Sequence, residues 1–361
     1  MSKQIRVIIV DDSQVMRDMI AQIVRANPDM EVVATAQDPF DAREKIKALS
    51  PDVVLLDIEM PRMDGLTFLE KIMRLRPMPV VMVSTLTVAG GEATLRALEL
   101  GAVDFVTKPS ARLSGYAVDT FAADIAVKVR IAAASAPAIA RRGLVAAPAV
   151  GNPPSGALGV VARNAVVAIG ASTGGIEAIT TVLRGLPESM PPVLIVQHLP
   201  QPFTRLFAGR LNTLCPLKVK EAEHGDILHP GHVYIAPGDR HLRLGRGVSG
   251  FVTQLSEDPL LNGHRPAVDY LFTSVAQLAG SGAVGVILSG MGADGAAGLL
   301  QMRQAGAITV GQDAATCVVY GMPRAAYELG AVARQARLES VASEIISSLR
   351  ALGKARSAKT Q

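Results

Sequence analysis

Three residues in the second half of this 361-residue chain could together do nucleophilic chemistry. Ser172 lies in Gly170-Ala171-Ser172-Thr173-Gly174, a G-x-S-x-G turn between an apolar run and a helical pattern. The glycines permit a sharp turn, and a helix N-terminus behind Ser172 offers free N–H groups and a positive dipole end. On the turn alone, a phosphate cradle and a nucleophile are equally good readings. The string is not G-x-G-x-x-G, however, and no acidic residue closes a strand about 20 positions later, as ribose binding would want. Two further residues shift the balance. His198 ends the run V-L-I-V-Q-H, and Asp294 follows A-V-G-V-I-L-S-G-M-G-A. Singly, His198 reads as a strand-end histidine bonded to backbone and Asp294 as a helix N-cap. Together, a hydrogen-bonded triad is the more economical account. Ser172 would attack a carbonyl, His198 would take its proton and return it to the leaving group, and Asp294 would fix the imidazole tautomer. Backbone N–H groups of residues 289–292, Met291 first among them, could form an oxyanion hole, each donor contributing roughly 3 kcal/mol. The chain order Ser, His, Asp is not the Ser, Asp, His order of an α/β-hydrolase, despite the shared motif.

The first half carries a different set. Asp11-Asp12 follows a first apolar strand, Asp57 a third, Ser84-Thr85 a fourth and Lys108-Pro109 a fifth. A single Asp after a strand is often a turn former or N-cap, but all four features fall at the same relative position. In an open parallel sheet the carboxyl ends of the strands gather on one edge, where ligands bind. Three carboxylates there would repel one another unless a cation joined them, and a hard divalent ion, most simply Mg²⁺, fits oxygen donors. Lys108 could neutralise one phosphoryl oxygen and the Ser84 hydroxyl could bond another. The chemistry implied is transfer of a phosphoryl group onto a carboxylate.

The elements that must position these residues follow from periodicity. Ile5–Val10, Val53–Leu56, Val80–Val83 and Val103–Val106 read as strands, and Ser13 as the N-cap of a helix with Met16, Met19, Ile20, Ile23 and Val24 on one face. From Ala165 the alternation resumes with strands at Val166–Ile169, Val193–Val196, Val233–Ile235, Ala283–Leu288 and Ala307–Val310, and an antiparallel section is expected near 217–255. The fold class is therefore α/β, with two separate parallel sheets. Between them the composition turns to Ala, Pro and Gly, with Asn152-Pro153-Pro154-Ser155-Gly156 resisting regular structure. The boundaries expected are a first domain over 1–125, a linker over 126–162 and a second domain over 163–353, with a frayed polar tail from Lys354.

Composition removes several other classes. Apolar residues make up 49% and charged residues 19%, which suits buried cores and not a disordered chain. No apolar run reaches the roughly 20 residues of a membrane span, and the N-terminus reads as lacking a signal peptide. Net charge is +4 with no basic stretch interleaved with aromatics, so neither nucleic-acid binding nor membrane insertion is expected. Cys215 and Cys317 fit no metal spacing, and reduced thiols in the cytoplasm are the simplest reading. His224, His229, His232 and His241 are close in sequence, but their spacing suits neither a helix face nor H-E-x-x-H. Turn and loop positions, some rimming a cleft, are expected for them.

Two family resemblances rest on these strings. I-I-V-D-D-S at 8–13, P-D-V-V-L-L-D-I-E-M-P at 51–61, M-D-G at 63–65 and D-F-V-T-K-P at 104–109 resemble a response-regulator receiver. The resemblance implies a flavodoxin-like fold of five parallel strands and five helices, with Asp57 as phosphoacceptor. It further implies that Asp12, Asp57 and the carbonyl of Glu59 hold Mg²⁺ with help from Asp11, and that Ser84 and Phe105 form a switch pair. A chemotaxis histidine kinase (CheA) would be the phosphodonor. G-A-S-T-G-G at 170–175, V-Q-H at 196–198, I-A-P-G at 235–238 and L-S-G-M-G-A-D-G at 288–295 resemble the chemotaxis methylesterases of the CheB type. That resemblance implies a doubly wound catalytic domain with Ser172, His198 and Asp294 as triad, Thr173 bonding near His198, and Met291 as an oxyanion donor. It implies hydrolysis of glutamate methyl esters on methylated chemoreceptors with release of methanol, and in some relatives deamidation of receptor glutamines. The catalytic half would need no cofactor. The two halves imply a monomer activated by phosphorylation, the unphosphorylated first domain docking over the cleft of the second. Two rivals stay open: a non-enzymatic regulator whose second domain binds a partner, and an esterase or amidase with another substrate.

Overall fold

The computed structural model describes residues 3–85, 87–109, 115–144 and 165–359, and the chain divides into two compact units, Met1–Ala147 and Pro148–Gln361. In the first unit, strands β1 (Ile5–Val10), β2 (Met30–Ala36), β3 (Val53–Asp57), β4 (Val80–Ser84) and β5 (Asp104–Thr107) form one sheet in the order β2-β1-β3-β4-β5. Every pairing is parallel. Helices α1 (Gln14–Arg25), α2 (Pro39–Leu49), α3 (Gly65–Leu75), α4 (Val88–Glu99) and α5 (Gly115–Leu144) alternate with the strands. Every residue of β3 and β4 is buried, as a strand covered on both faces demands. Ser13 caps α1 by accepting from the Met16 N–H. The chain runs outward from β1 to β2 and then crosses back to β3. Asp11, Asp12 and Asp57 therefore flank the crevice where the strand order reverses.

Helix α5 runs unbroken to Leu144, through the first part of the segment expected as a linker over 126–162. Phe121, Ile125, Val129, Ala132, Ser135 and Ile139 are all buried at helical spacing, and alanine is the best helix former. Pro137 sits inside the helix without ending it. Arg130 ties α5 back to the first unit through Asp29 at 2.7 and 2.9 Å. The Asn152–Gly156 stretch lies outside the described residues.

In the second unit, β6 (Val166–Ala171), β7 (Val193–Gln197), β8 (Lys218–Glu221) and β9 (His232–Ile235) precede a hairpin of β10 (His241–Gly247) and β11 (Gly250–Ser256). Strands β12 (Ala283–Ile287), β13 (Ile308–Gln312) and β14 (Arg334–Ala336) follow, and helices α6 (Gly175–Arg184), α7 (Gln201–Leu214), α8 (Val268–Leu278), α9 (Ala296–Gln304), α10 (Met322–Glu328) and α11 (Leu338–Lys359) intervene. The main sheet has the order β14-β13-β12-β6-β7-β9-β8. The section expected to be antiparallel is partly so: β8 pairs with β9 in parallel, while β10 pairs with β11 antiparallel and Ile227 bridges Val252 in the same sense. α11 also continues to Lys359, past the boundary expected at 353. The sheet is doubly wound: from β6 the chain builds one side through β7, then crosses to β12 on the other. Ser172 follows β6, His198 follows β7 and Asp294 lies in the loop after β12, so all three stand at this reversal. Phe272 and Leu271 of α8 are fully buried against this centre, where truncating such a Phe to Ala would cost about 3–5 kcal/mol.

Candidate active site and phosphoacceptor pocket

In the second unit the pair at the heart of the site is formed. His198 Nε2 lies 2.9 Å from Asp294 Oδ2. Asp294 is buried and fully engaged. The Val268 N–H donates to Oδ2 at 2.7 Å, the Asp269 N–H to Oδ1 at 3.2 Å, and Asn262 Nδ2 to Oδ1 at 2.9 Å. Burial pushes this carboxyl up, but hydrogen bonds from His198 and Asn262 outweigh burial and hold it below the ordinary carboxylate value. An ionised Asp294 accepts from Nε2–H, so the imidazole lone pair is on Nδ1. That Nδ1 is buried and has no partner among the described residues. Asp294 does not cap α9; Gly295 occupies that position.

Ser172 is placed beside this pair by backbone. Its N–H donates to the Ser289 carbonyl at 3.0 Å, and its own carbonyl accepts from Gly175 at 2.7 Å and from Gln197 Nε2 at 2.9 Å. The His198 N–H donates to the Ala171 carbonyl at 3.2 Å. Among the described residues no hydrogen bond joins Ser172 Oγ to His198, a looseness common in sites without substrate. Gly174 holds the turn at φ 77°, where a Cβ would also strike Val318 at 2.6 Å. Thr173 is buried, and its carbonyl accepts from Ser289 Oγ at 2.8 Å. Met291 is exposed, on a loop that Gly290 fastens by accepting from Gly321 and Met322. The Met291 N–H makes no bond to a described residue, as an oxyanion donor requires. A cleft of about 470 Å³ opens beside His198, walled by Leu199, Leu260, His264 and Arg265.

Sequence reasoning missed Asn262, His264, Asp269 and Gln197. Gln197 could have been suspected from its buried place at a strand end next to His198. The other three sit in a loop and a helix start where Asn262-Gly263 signals a turn but nothing in the sequence aims it at the site. The four histidines considered for a metal lie elsewhere. His241 is buried in β10 against Pro259 and Tyr270, His232 bonds the Pro230 carbonyl, and His224 accepts from Leu255. Among the described residues no histidine joins a metal-ligating cluster.

In the first unit Asp11, Asp12 and Asp57 each offer an oxygen within 4.8 Å of the others, a donor set that fits a hard divalent cation. Asp11 and Asp57 are buried and Asp12 is exposed. Lys108 Nζ lies 2.9 Å from Asp11 and 2.8 Å from Asp57. Burial and the neighbouring Asp11 charge push Asp57 up to about 6, against the opposing pull of Lys108. One cation serves two carboxylates, so Lys108 is held above its ordinary value despite burial. Glu59, two residues beyond β3, has an exposed side chain. Ser84 is buried; its Oγ accepts from Thr94 Oγ1 at 2.6 Å and reaches the Gly90 carbonyl at 3.3 Å, tying the end of β4 to α4. Phe105 is buried in β5, with Lys128 Nζ 4.9 Å from its ring centre.

Comparison with known proteins is consistent with this division. Residues 167–345 match the model of the CheB methylesterase family, and residues 7–114 match that of the response regulator receiver domain. A Burkholderia pseudomallei protein named protein-glutamate methylesterase/protein-glutamine glutaminase 1 is 53% identical, with 98% of each chain covered. A Shigella flexneri protein-glutamate methylesterase/protein-glutamine glutaminase is 54% identical, with 97% of this chain and 98% of the relative covered. The crystal structure of the Thermotoga maritima CheB methylesterase catalytic domain is 37% identical with a TM-score of 0.50, covering 52% of this chain and 99% of that one.

Proposed function

This chain belongs to the CheB methylesterase family, and from that premise we propose that it is a phosphorylation-activated protein-glutamate methylesterase acting on chemoreceptors in chemotaxis. It is a carboxylic ester hydrolase with a receiver domain ahead of its catalytic domain. The observation that carries the reading is the His198–Asp294 bond of 2.9 Å beside the Ser172 turn, within the matched segment. Ser172 Oγ attacks the ester carbonyl as His198 Nδ1 takes its proton. Asp294 stabilises the imidazolium through Nε2–H, and the Met291 N–H receives the developing oxyanion. The tetrahedral intermediate expels methoxide, which leaves as methanol with the proton from His198. Water then repeats the sequence on the acyl-serine and frees the glutamate carboxylate. A glutamine side chain passes through the same kind of intermediate with ammonia as leaving group, so deamidation belongs to the same site.

In the receiver, Asp57 accepts the phosphoryl group from a chemotaxis histidine kinase. Asp11, Asp12, Asp57 and the Glu59 carbonyl would hold Mg²⁺, which when bound neutralises phosphoryl oxygens. Lys108 is placed to bind another such oxygen. A phosphoryl oxygen that accepts from the Ser84 O–H would draw Oγ away from Thr94, so α4 is the element positioned to respond.

The test is methanol release from methylated chemoreceptor membranes, with and without acetyl phosphate and Mg²⁺. Release should vanish in Ser172→Ala, and the rise with phosphodonor should vanish in Asp57→Ala. Release that persists in Ser172→Ala would overturn the serine mechanism. No release from the wild type would return the second unit to another substrate or a binding role.

A further inference from the structure

Four residues beyond the hairpin, the chain makes a two-residue turn that touches both members of the His198–Asp294 pair. Leu261 and His264 pair across it: the Leu261 N–H donates to the His264 carbonyl at 3.1 Å and the His264 N–H to the Leu261 carbonyl at 2.9 Å. Between them Asn262 has φ 55° and Gly263 φ 78°. Two successive residues of positive φ make a type I′ turn, for which Asn-Gly is the favoured pair. The turn therefore follows from local sequence, and it fixes the directions of the side chains on either side.

From this turn Asn262 reaches inward. Its Nδ2 donates to Asp294 Oδ1 at 2.9 Å and to Asp269 Oδ2 at 2.8 Å. Asp269 is itself pinned by the Gly298 N–H at 2.6 Å. On the other side the His264 ring lies flat on the His198 ring, with centroids 3.8 Å apart and planes 13° from parallel. The turn is anchored by Arg265, which donates to Asp239 Oδ1 at 2.8 Å and to the Glu257 carbonyl at 2.9 Å.

We propose that the Asn262-Gly263 turn is a clamp on the hydrolytic pair, in which Asn262 sets the Asp294 carboxylate and His264 is a positioning residue that holds the face of the His198 ring. The proposal rests on the reading of Ser172, His198 and Asp294 as the hydrolytic site. An imidazole bonded only through Nε2 can still swing about that bond, and swinging moves Nδ1 away from Ser172. A ring stacked on its face removes that freedom. The stack suits a neutral partner, because two cations face to face would oppose the imidazolium that forms during catalysis. Burial, with the neighbouring His198, pushes His264 down to about 4, so it stays neutral when His198 takes up a proton.

The experiment compares wild type, His264→Ala and His264→Phe in the full chain. Phe keeps a flat ring on His198 but has no nitrogen. Steady-state methanol release from methylated receptor membranes should show kcat falling about 10- to 100-fold in His264→Ala, the scale of a displaced catalytic group. The fall should lie mainly in kcat, with KM moving by no more than about threefold although His264 also walls the cleft. His264→Phe should recover most of kcat. A second readout needs no substrate: ¹H–¹⁵N spectra of histidine-labelled protein should show His198 in the Nε2–H tautomer in all three proteins, with its ring signals broadened by motion only in His264→Ala. An Ala variant with kcat within about twofold of wild type, or a Phe variant as impaired as Ala, overturns the clamp. If the wild type releases no methanol while the spectra follow the expected pattern, the methylesterase reading fails and the clamp stands.

Discussion

Asp57 and Asp294 are the same side chain, both buried at a strand-order reversal, yet their surroundings push them in opposite directions. Asp294 accepts from His198, Asn262 and two backbone N–H groups. These bonds hold its charge in place against the pull of burial. Asp57 shares one lysine with Asp11 and receives one backbone N–H, from Ile58. Burial and the Asp11 charge therefore prevail and lift it to about 6. The difference separates a carboxylate built to stay as it is from one built to change. A fully bonded carboxylate orients a neighbour. An under-bonded one gains from a metal ion and can become a nucleophile toward phosphorus.

Substituting Asn at each position breaks this comparison most directly. Asp294→Asn should lower kcat by about 10⁴-fold, because the amide no longer fixes the His198 tautomer. The measurement is methanol release under saturating phosphodonor. It should also destabilise the second unit by roughly 2–4 kcal/mol, since an amide NH₂ would face donors that now point at an oxygen. A change under about tenfold in kcat would mean that Asp294 does not serve His198 in the reaction.

Asp57→Asn should do the reverse and stabilise its unit by about 1–3 kcal/mol at neutral pH without divalent cation. The sign follows from linkage. The folded-state value of about 6 lies above the ordinary 3.8, so the folded state takes up the proton first. This group's contribution to stability is greatest at acid pH and is lost as pH rises through about 6. The advantage of the Asn variant should therefore shrink as pH falls through that range. Thermal melting of both proteins from pH 5 to 8 checks this. Added Mg²⁺ should raise the melting temperature of wild type more than that of the variant. A lower melting temperature for Asp57→Asn at pH 7 would contradict the comparison.

The two regions also differ in how much of them the sequence disclosed. In the receiver, each of these acting side chains ends or follows a strand, and strand ends are legible from apolar runs. Asp11, Asp57, Ser84 and Lys108 needed only that rule and the parallel sheet. Ser172, His198 and Asp294 were legible for the same reason. The support of Asp294 was not, because it comes from residues 262–269, where no hydrophobic period exists to place a side chain in space. The Asn262-Gly263 turn is a local signal, but which side chains it aims at the site depends on how β11 leads into α8. His264 escaped notice for that reason, while four histidines nearer one another in sequence drew attention and serve the β-section instead. The start of the expected linker shows the converse error. Ala-rich composition there suggests loose chain, but buried residues at helical spacing make it the end of α5.

Asn262→Ala sharpens the comparison at an intermediate scale. It removes one of four donors from Asp294 and leaves His198 Nε2 bonded. The fall in kcat should be about 10-fold, well short of that in Asp294→Asn. It also frees Asp269, whose carboxyl burial already pushes up despite the Gly298 bond. An Asn262→Ala variant as inactive as Asp294→Asn would show that the turn itself has collapsed, which a melting curve would register.

The smallest effect belongs to the receiver. Thr94 is buried, and its single hydroxyl hydrogen is shared between two acceptors, Ser84 Oγ at 2.6 Å and the Gly90 carbonyl at 2.7 Å. Thr94→Val keeps the shape and removes both bonds, at a cost of no more than about 1–2 kcal/mol. Ser84 Oγ keeps its 3.3 Å contacts to the Thr85 and Gly90 carbonyls, so it is not stranded. If the Ser84 hydroxyl is what phosphorylated Asp57 recruits, the variant gives up that hydroxyl more readily, because the bond that holds its oxygen beside α4 is gone. Less phosphodonor should then be needed for half-maximal activation, by about two- to fivefold, while the unstimulated rate stays within about twofold. An unchanged phosphodonor response together with an unchanged melting curve would place the coupling outside the β4–α4 link, with Phe105 and β5 the remaining route.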